Sequence, residues 1–496
     1  MNQALEQREF PPIDRAQLIE RLGTIVAAPS LLHSPEDLRP YECDGLSAYR
    51  SLPLVVVLPD SVAQVQAILR LCHELEVPVV ARGAGTGLSG GALPHSAGVL
   101  LSLARFKRIL EIDPQRRIAR VQPGVRNLAI SEAAATHGLY YAPDPSSHIA
   151  CSIGGNVAEN SGGVHCLKYG LTVHNIQQLT MVSVDGELLT VGGSGLDAPG
   201  YDLLALMTGS EGMLGVIVEV TVKLLAQPQR AQVVLAAFDD VVKAGSAVGR
   251  IIAAGIIPAG LEMMDRLAIR AAEDFVHAGY PVDAEAILLC ELDGTNEEVS
   301  EQIYKVREIL TASAATEVRT ARDDAERAIF WKGRKAAFPA VGRISPDYYC
   351  MDGTIPRKRL PEVLKAIADL STHYGLAVAN VFHAGDGNLH PLILYDANKP
   401  GELERTEEFG ARILELCVEA GGTITGEHGV GMEKINQMCV QFESAELSQF
   451  HAVKAAFDPA GLLNPGKAVP TLHRCAELGA MHVHHGELPF PELERF

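Results

Sequence analysis

Several things are scarce in this chain, and each scarcity removes a class of function. The nine cysteines stand singly, without a C-x-x-C, and their number is odd. That pattern predicts no disulfide framework, a reducing compartment, and no set of four thiolates to ligate an iron–sulfur cluster. Cations are few: Lys+Arg 42 against Asp+Glu 61 gives a formal charge of −19. Such a balance argues against nucleic acid or an anionic membrane surface as the main partner, so a bound anion must be met by backbone and a few placed side chains. The longest apolar run, near Arg250 to Leu261, is too short to cross a bilayer, and Met1 to Phe10 hold no apolar signal core. No repeat or low-complexity tract is visible. The expectation is a soluble cytoplasmic protein without a transmembrane segment, with room for a peripheral place at the cytoplasmic face of the inner membrane through partners. At 496 residues and 47% apolar content it can bury a large core in two or three domains.

Glycine, by contrast, is concentrated. Arg82-Gly83-Ala84-Gly85-Thr86-Gly87-Leu88-Ser89-Gly90-Gly91 follows an apolar run, Val77 to Ala81, that reads as a strand. Residues 85–90 spell G-x-G-x-x-G, but a dinucleotide fingerprint should open a helix. Here the chain runs through Pro94 and Gly98 into another apolar run, Val99 to Leu103, and no G-K-[ST] follows. The alternatives are a flexible surface loop or a strand–loop–strand cradle that offers bare N–H groups to an anion. Two further small-residue stretches lie downstream: Pro143-Asp144-Pro145-Ser146-Ser147 with Cys151 to Gly163, and Gly209 to Gly215 before the strand Val216 to Leu224. Three such loops close in sequence suit one long polar ligand touched at several points.

Around these loops, 14–50 reads as helical and then irregular. Leu54 to Leu58 is a strand, and Ser61 caps a helix over Val62 to Leu75. Ile118 to Val121 is a strand, and Asn127 to His137 a helix ended by Gly138. Beyond Pro228, strands at 231–238 and 286–292 alternate with helices at 240–254 and 296–312. Helices return at Glu404 to Ala420 and Ser444 to Phe457. The tail holding His482, His484 and His485 reads as a mobile end and not a metal site.

The clearest chemical signal is Val381-Phe382-His383-Ala384-Gly385-Asp386-Gly387-Asn388-Leu389-His390. Asp-Gly favours a two-residue hairpin turn. With that turn, 383 pairs with 390, and the two histidines face each other with Cβ atoms roughly 5 Å apart. They could share a divalent ion or form a hydrogen-bonded pair. Glu427-His428, in the glycine-flanked run Gly426 to Gly431, offers a carboxylate. Two histidines and a carboxylate would leave an open position, as a catalytic ion needs, and would suit Zn, Mn or Fe. Arg327, Trp331, Arg334 and Phe338 fall at helical spacing, which could equally be a solvated basic face.

The ordered motifs R-G-A-G-T-G-L-S-G-G, P-D-P-S-S, C-S-I-G-G-N-V-A-E-N-S-G-G and G-S-E-G-x-L-G resemble the FAD-binding domain of vanillyl-alcohol-oxidase-type flavoproteins, in the branch of D-2-hydroxyacid dehydrogenases. The resemblance covers roughly residues 20–470. It implies an α+β fold: an N-terminal helical segment (1–50), a two-subdomain PCMH-type FAD-binding domain (51–227), a ferredoxin-like α+β cap (228–405), a helical C-terminal segment (406–470) and a tail (471–496). It implies non-covalent FAD, because the first loop lacks an attachment histidine. The cofactor would be held by Arg82, Gly83, Ala84, Gly85, Thr86, Gly87 and Leu88, by Pro143, Asp144, Ser147, Gly154, Gly155, Asn156, Asn160 and Gly163, and by Asn464. Glu211 and Ile217 would lie near the adenosine end, with Met213 standing where Thr is expected.

The same resemblance supports His383, His390 and Glu427 as metal ligands, His428 as the base and Arg334 as the grip on a substrate carboxylate. Hydride would pass to flavin N5 from a carbon whose hydroxyl the metal polarises. Relatives that take dicarboxylates place a basic residue near position 350; Cys350 here favours a small monocarboxylate such as glycolate or D-lactate. Within the family the Tyr348 to Arg357 and Phe382 to Leu394 stretches are most similar to glycolate-oxidising members, which work with a second flavin-domain subunit and an iron–sulfur subunit. Oxidation of glycolate to the oxoacid is the expectation. The alternatives are a D-lactate dehydrogenase with a cytochrome-type acceptor, a D-2-hydroxyglutarate dehydrogenase, a metal-dependent hydrolase, or a non-catalytic flavin-fold subunit, which would be expected to lose His428 or Arg334.

Overall fold

The computed structural model describes residues 10–195 and 200–470; the tail histidines lie outside the described residues. The chain forms two compact units. Of the described residues, the first takes those up to Ser161, Leu171–Ala226 and those from Glu427; the second takes Gly162–Gly170 and Gln227–Gly426.

The first unit holds two main sheets. Strands β1 (Leu31–Leu32), β2 (Val55–Val57), β3 (Val79–Arg82) and β4 (Val99–Ser102) lie in the order β1-β2-β4-β3, with β4 parallel to both β2 and β3. Parallel neighbours usually need a helical crossover. Between β3 and β4 there is none: residues 83–98 make the return as an open loop, which keeps their backbone available. The helix Val62–Glu74, whose first turn is capped by the Ser61 hydroxyl, buries Val65, Ile68, Leu69 and Cys72 beneath this sheet. An antiparallel sheet follows: β5 (Ile109–Asp113), β6 (Ile118–Val121), β7 (Ile176–Val182), β8 (Leu188–Gly192) and β9 (Val216–Lys223), ordered β5-β6-β9-β7-β8.

The stretch Cys151 to Gly163, read from its composition as a loop, instead contains a helix, Ile153–Glu159. Gly154 and Gly155 are poor helix formers, but Ile153 and Val157, four residues apart, are both fully buried in the core of this sheet. Packing of that stripe outweighs propensity.

The second unit is one seven-stranded antiparallel sheet. Its strands are β10 (Arg230–Phe238), β11 (Gly260–Asp265), β12 (Ala286–Gly294), β13 (Glu317–Thr320), β14 (Asp347–Cys350), β15 (Val378–His383) and β16 (Asn388–Tyr395), ordered β13-β10-β12-β11-β15-β16-β14. β10 to β13, with helices Val241–Ala253 and Asn296–Ala312 between them, follow the split β-α-β path of ferredoxin-like proteins. β14, the helix Leu360–Tyr374, β15 and β16 retrace its first three strands, so a topological repeat exists where the residues show none. The two copies meet at β11 and β15, where Met263 pairs with Phe382 and Met264 with Val381.

The β15–β16 hairpin differs from the expected register. His383 pairs with Asn388 and Val381 with His390, so the connection is the four residues Ala384 to Gly387. The Asp386 carboxylate accepts from Asn388 N at 3.2 Å, and Gly387 N donates to His383 O at 3.1 Å, which widens the turn. The displacement is by two residues, an even number, and the strand period is two. Both histidines therefore stay on one face, as diagonal neighbours.

Candidate active site

In the first unit the Gly83–Gly91 loop leaves the end of β3 with its donors unspent. Among the described residues, no backbone N–H from Gly83 to Gly91 reaches a backbone carbonyl. Arg82 folds beneath the loop: Nη1 donates to Cys43 O at 2.6 Å, and the guanidinium lies 5.8 Å from the Tyr41 ring centre. A Cβ at Gly85, where φ is +70°, would lie 2.2 Å from Arg82 Nη2. Ala84, Thr86, Gly87 and Leu88 complete the loop, and a Cβ on Gly45 would lie 2.7 Å from Gly87 O.

The second stretch faces the same loop through Ser152, whose buried hydroxyl has no partner and would meet a Cβ on Gly83 at 2.2 Å. Pro143, Asp144 and Ser147 precede it. Pro143 O accepts from Asn127 Nδ2, which also donates to Asn156 Oδ1, each at 3.1 Å. The Asn156 amide is thereby committed to the protein. Asn160 ends the helix at φ +54° and its Oδ1 accepts from Val173 N at 2.9 Å. Gly154 packs on Pro123, while Gly163 falls in the second unit. Ile217 is core.

Glu211 and Asn464 are also spent within the unit. The two Glu211 oxygens accept from Val430 N and Gly431 N, both at 2.7 Å. Asn464 Nδ2 donates to Gly91 O and Glu211 O, and Asn464 Oδ1 accepts from Lys467 Nζ at 2.7 Å. Burial holds the Lys467 ammonium down to about 7 despite Asp44, Glu211 and Glu159 nearby.

In the second unit the sheet register does the positioning. One step beyond the Met263–Phe382 pair, Glu262 stands opposite His383, and its Oε1 lies 2.8 Å from His383 Nδ1. His390 turns Nδ1 toward Met351 O at 3.3 Å, with Asp352 Oδ1 at 3.9 Å. Acceptors at Nδ1 favour the proton there and leave Nε2 with its lone pair, the tautomer that a metal-binding histidine uses. The ring centres are 4.9 Å apart. Phe338 packs edge-on against His390.

Asp352, fully buried, accepts from Thr425 Oγ1 at 2.6 Å and Gly426 N at 3.1 Å. It thus holds the turn from which Glu427 emerges as the next residue. His383 and His390, both buried, each offer a ring nitrogen on this face of the sheet.

Arg334, on the helix Asp324–Lys335, is fully buried. Its Nη2 lies 2.6 Å from Glu262 Oε2, yet none of its three nitrogens has a partner in hydrogen-bonding geometry. Burial alone would raise the Glu262 carboxyl; His383 and Arg334 together hold it below the ordinary range. On the same helix Arg327 and Trp331 turn instead to Glu291, which also meets His165. Cys350, at the end of β14, is buried.

Comparison with known proteins adds the decisive observation. Residues 53–192 match the FAD binding domain and 227–468 the C-terminal domain of FAD linked oxidases. The chain is 70% identical over 487 residues to glycolate oxidase subunit GlcD of Escherichia coli K12, covering 98% of each. The chain belongs to the FAD-linked oxidase family. Its similarity to glycolate oxidase subunit GlcD of Bacillus subtilis is 40% over 428 residues, covering 86% of this chain and 91% of the relative. The fold is that of 4-ethylphenol oxidase from Gulosibacter chungangensis, with a TM-score of 0.78 at 17% identity, covering 94% of this chain and all of that one.

As an FAD-linked oxidase, this oxidoreductase binds FAD, and the residues present fit the group. Unspent N–H groups from Gly83 to Gly91 beside the unpartnered Ser152 hydroxyl make a neutral cradle that an anionic pyrophosphate would satisfy. Sequence reasoning missed Glu262, Glu291 and Asp352. The first two lie inside apolar strands whose flanking residues gave no warning. Asp352 lies within the Tyr348 to Arg357 stretch, but no role attaches to it there.

Proposed function

We propose that this FAD-linked oxidase is the flavin-bearing catalytic subunit of a glycolate oxidase, converting glycolate to glyoxylate with release of two electrons and two protons. The observation that carries the reading is Arg334, a fully buried guanidinium with unsatisfied donors beside the Nδ1-anchored histidine pair. Leaving such donors unmet is costly, and a substrate carboxylate would meet two at once. The identity to the two glycolate oxidase subunits supports the same substrate.

Bound FAD supplies the hydride acceptor. His383, His390 and Glu427 would hold a divalent ion, Zn, Mn or Fe, which makes a bound hydroxyl more acidic. Arg334 fixes the carboxylate end, so that the α-carbon is presented in one orientation. Glu262 orients His383 and Arg334 together. His428 takes the hydroxyl proton. Cys350 keeps the pocket small and uncharged, which suits a monocarboxylate over a dicarboxylate. Electrons leave to a second flavin-domain subunit and an iron–sulfur subunit, in keeping with nine cysteines that stand singly in the sequence. Among the described residues no helix is long and apolar enough to cross a membrane, and any membrane association of this cytoplasmic subunit is made through those partners.

The purified protein should be yellow, and glycolate added without oxygen should bleach it. A colourless protein that FAD cannot reconstitute, or bleaching by D-lactate at far lower concentration than by glycolate, would defeat this assignment. With a dye acceptor, chelator should abolish turnover while flavin stays bound. His428→Ala should lower kcat by roughly 100- to 10,000-fold at full flavin content; rates like wild type would remove His428 as the base.

A further inference from the structure

The turn Glu427–Gly431 has to hold two functional side chains still, although it is built on glycine. Gly429 and Gly431 take φ of +80° and +53°, and such residues have the most conformational freedom to lose. Within the first unit, two buried acids from other segments restrain it. Glu211 spends both oxygens on the turn, at 2.7 Å from Val430 N and 2.7 Å from Gly431 N. It does so from a backbone φ of +50°, a region that residues with a Cβ seldom adopt. Lys434, itself fully buried, donates to Gly429 O at 3.0 Å. Glu159 closes the other side: a Cβ on Gly429 would lie 2.1 Å from Glu159 Oε2 and 3.0 Å from Glu211 Oε1. The same Glu159 reaches the cofactor loop, since a Cβ on Gly91 would lie 2.8 Å from its Oε1.

We propose that Glu211 is a positioning residue, whose carboxylate fixes the Glu427–His428 turn through the Val430 and Gly431 N–H groups. Two short N–H bonds call for the charged form of Glu211. Burial raises both carboxyls, but the Val430 and Gly431 N–H bonds pull Glu211 back, whereas burial, then Glu211 and Asp44, push Glu159 far above the ordinary range, so the neutral form falls to Glu159. Glycine at 429 follows from the same contact, because any side chain there would part the turn from its acids.

Resting as it does on the assignment of Glu427 and His428 above, this role is separable from that assignment by amide exchange. In the FAD-loaded protein, Glu211→Gln turns one acceptor into an N–H₂ group opposed to a backbone N–H. Hydrogen–deuterium exchange should quicken roughly 10- to 100-fold at the Val430 and Gly431 amides, the worth of one lost bond to a charged group. Exchange elsewhere in the unit and flavin content should hold. On glycolate, kcat should fall by a similar factor with KM nearly constant. Glu211→Asp keeps the charge but withdraws it by one methylene and should give an intermediate exchange rate, which serves if the Gln variant does not fold. Unchanged exchange at 430–431 in both variants would overturn the role, as would faster exchange throughout the unit with flavin lost in proportion. If the wild type ignores glycolate while the local exchange result holds, the substrate assignment fails and the clamp stands.

Discussion

Two glutamates on neighbouring strands, Glu262 and Glu291, are each buried against an arginine of one helix and a histidine. Glu262 takes Arg334 and His383; Glu291 takes Arg327, His165 and the Trp331 indole. Only the first set leaves a guanidinium with unmet donors, and that difference separates a site from a structural joint. For Glu291, burial pushes the carboxyl up, but His165, Arg327 and Trp331 together hold it below its ordinary 4.5. A carboxyl depressed in the folded state stabilises above that ordinary value, and the contribution is lost as pH falls through the lower folded value. Glu291→Gln should therefore cost about 2 kcal/mol near pH 7, allowing for the partial exposure of its partners. The gap between variant and wild type in thermal melts should close below pH 4.5. A gap that stays constant down to pH 3 would show that the charge on Glu291 is not what matters.

At the scale of elements, the glycines of the cofactor loop are not equal. A Cβ on Gly83 would meet the Ser152 hydroxyl, which can rotate away, whereas one on Gly45 would meet backbone oxygens of Gly87 and Thr86 at 2.7 and 3.0 Å. Gly45→Ala, outside the glycine-rich motif, should then displace the loop at a cost of about 1–3 kcal/mol and lower flavin per chain more than Gly83→Ala does. Absorbance of the released flavin measures both.

The loop was legible as an open strand-to-strand connection because its failure to enter a helix is written in Pro94 and Gly98. The helix Ile153–Glu159 was not, since its two glycines mask a stripe that only the neighbouring sheet makes meaningful. The histidine face was legible because strand parity survives a two-residue slip. Its pairing was not, because the Asp386 side chain enlarges the turn. Glu262 was invisible for a further reason: its partners, His383 and Arg334, are more than seventy residues away in sequence, and an acid inside Gly260–Asp265 acquires meaning only when β11 and β15 pair.

For the whole molecule, the first unit is interrupted by the second and finished by the C-terminal segment. Leu462 and Leu463 enter the core of the β1–β4 sheet, Val79 N donates to Leu462 O, and Asn464 N donates to Val79 O, both at 2.8 Å. Lys467 then ties itself to Gly91 O and Leu93 O on the cofactor loop. A chain stopped after residue 460 would keep every residue of the Gly83–Gly91 motif and lose these ties. It should express with the second unit folded, as judged by protection of β10 to β16 from proteolysis, yet retain no flavin. Flavin bound at wild-type levels by that truncation would show the closing segment to be dispensable.

This late closure has a consequence for how the protein is made. On the ribosome, residues 227–426 can emerge and pair as a contiguous sheet while β1 to β4 are still waiting for Leu462 and Asn464. Cofactor loading therefore cannot begin during synthesis of the motif that names the family. It must await emergence of Leu462 to Lys467, and a nascent chain stalled before that segment is a client for proteases however much cofactor the cell contains.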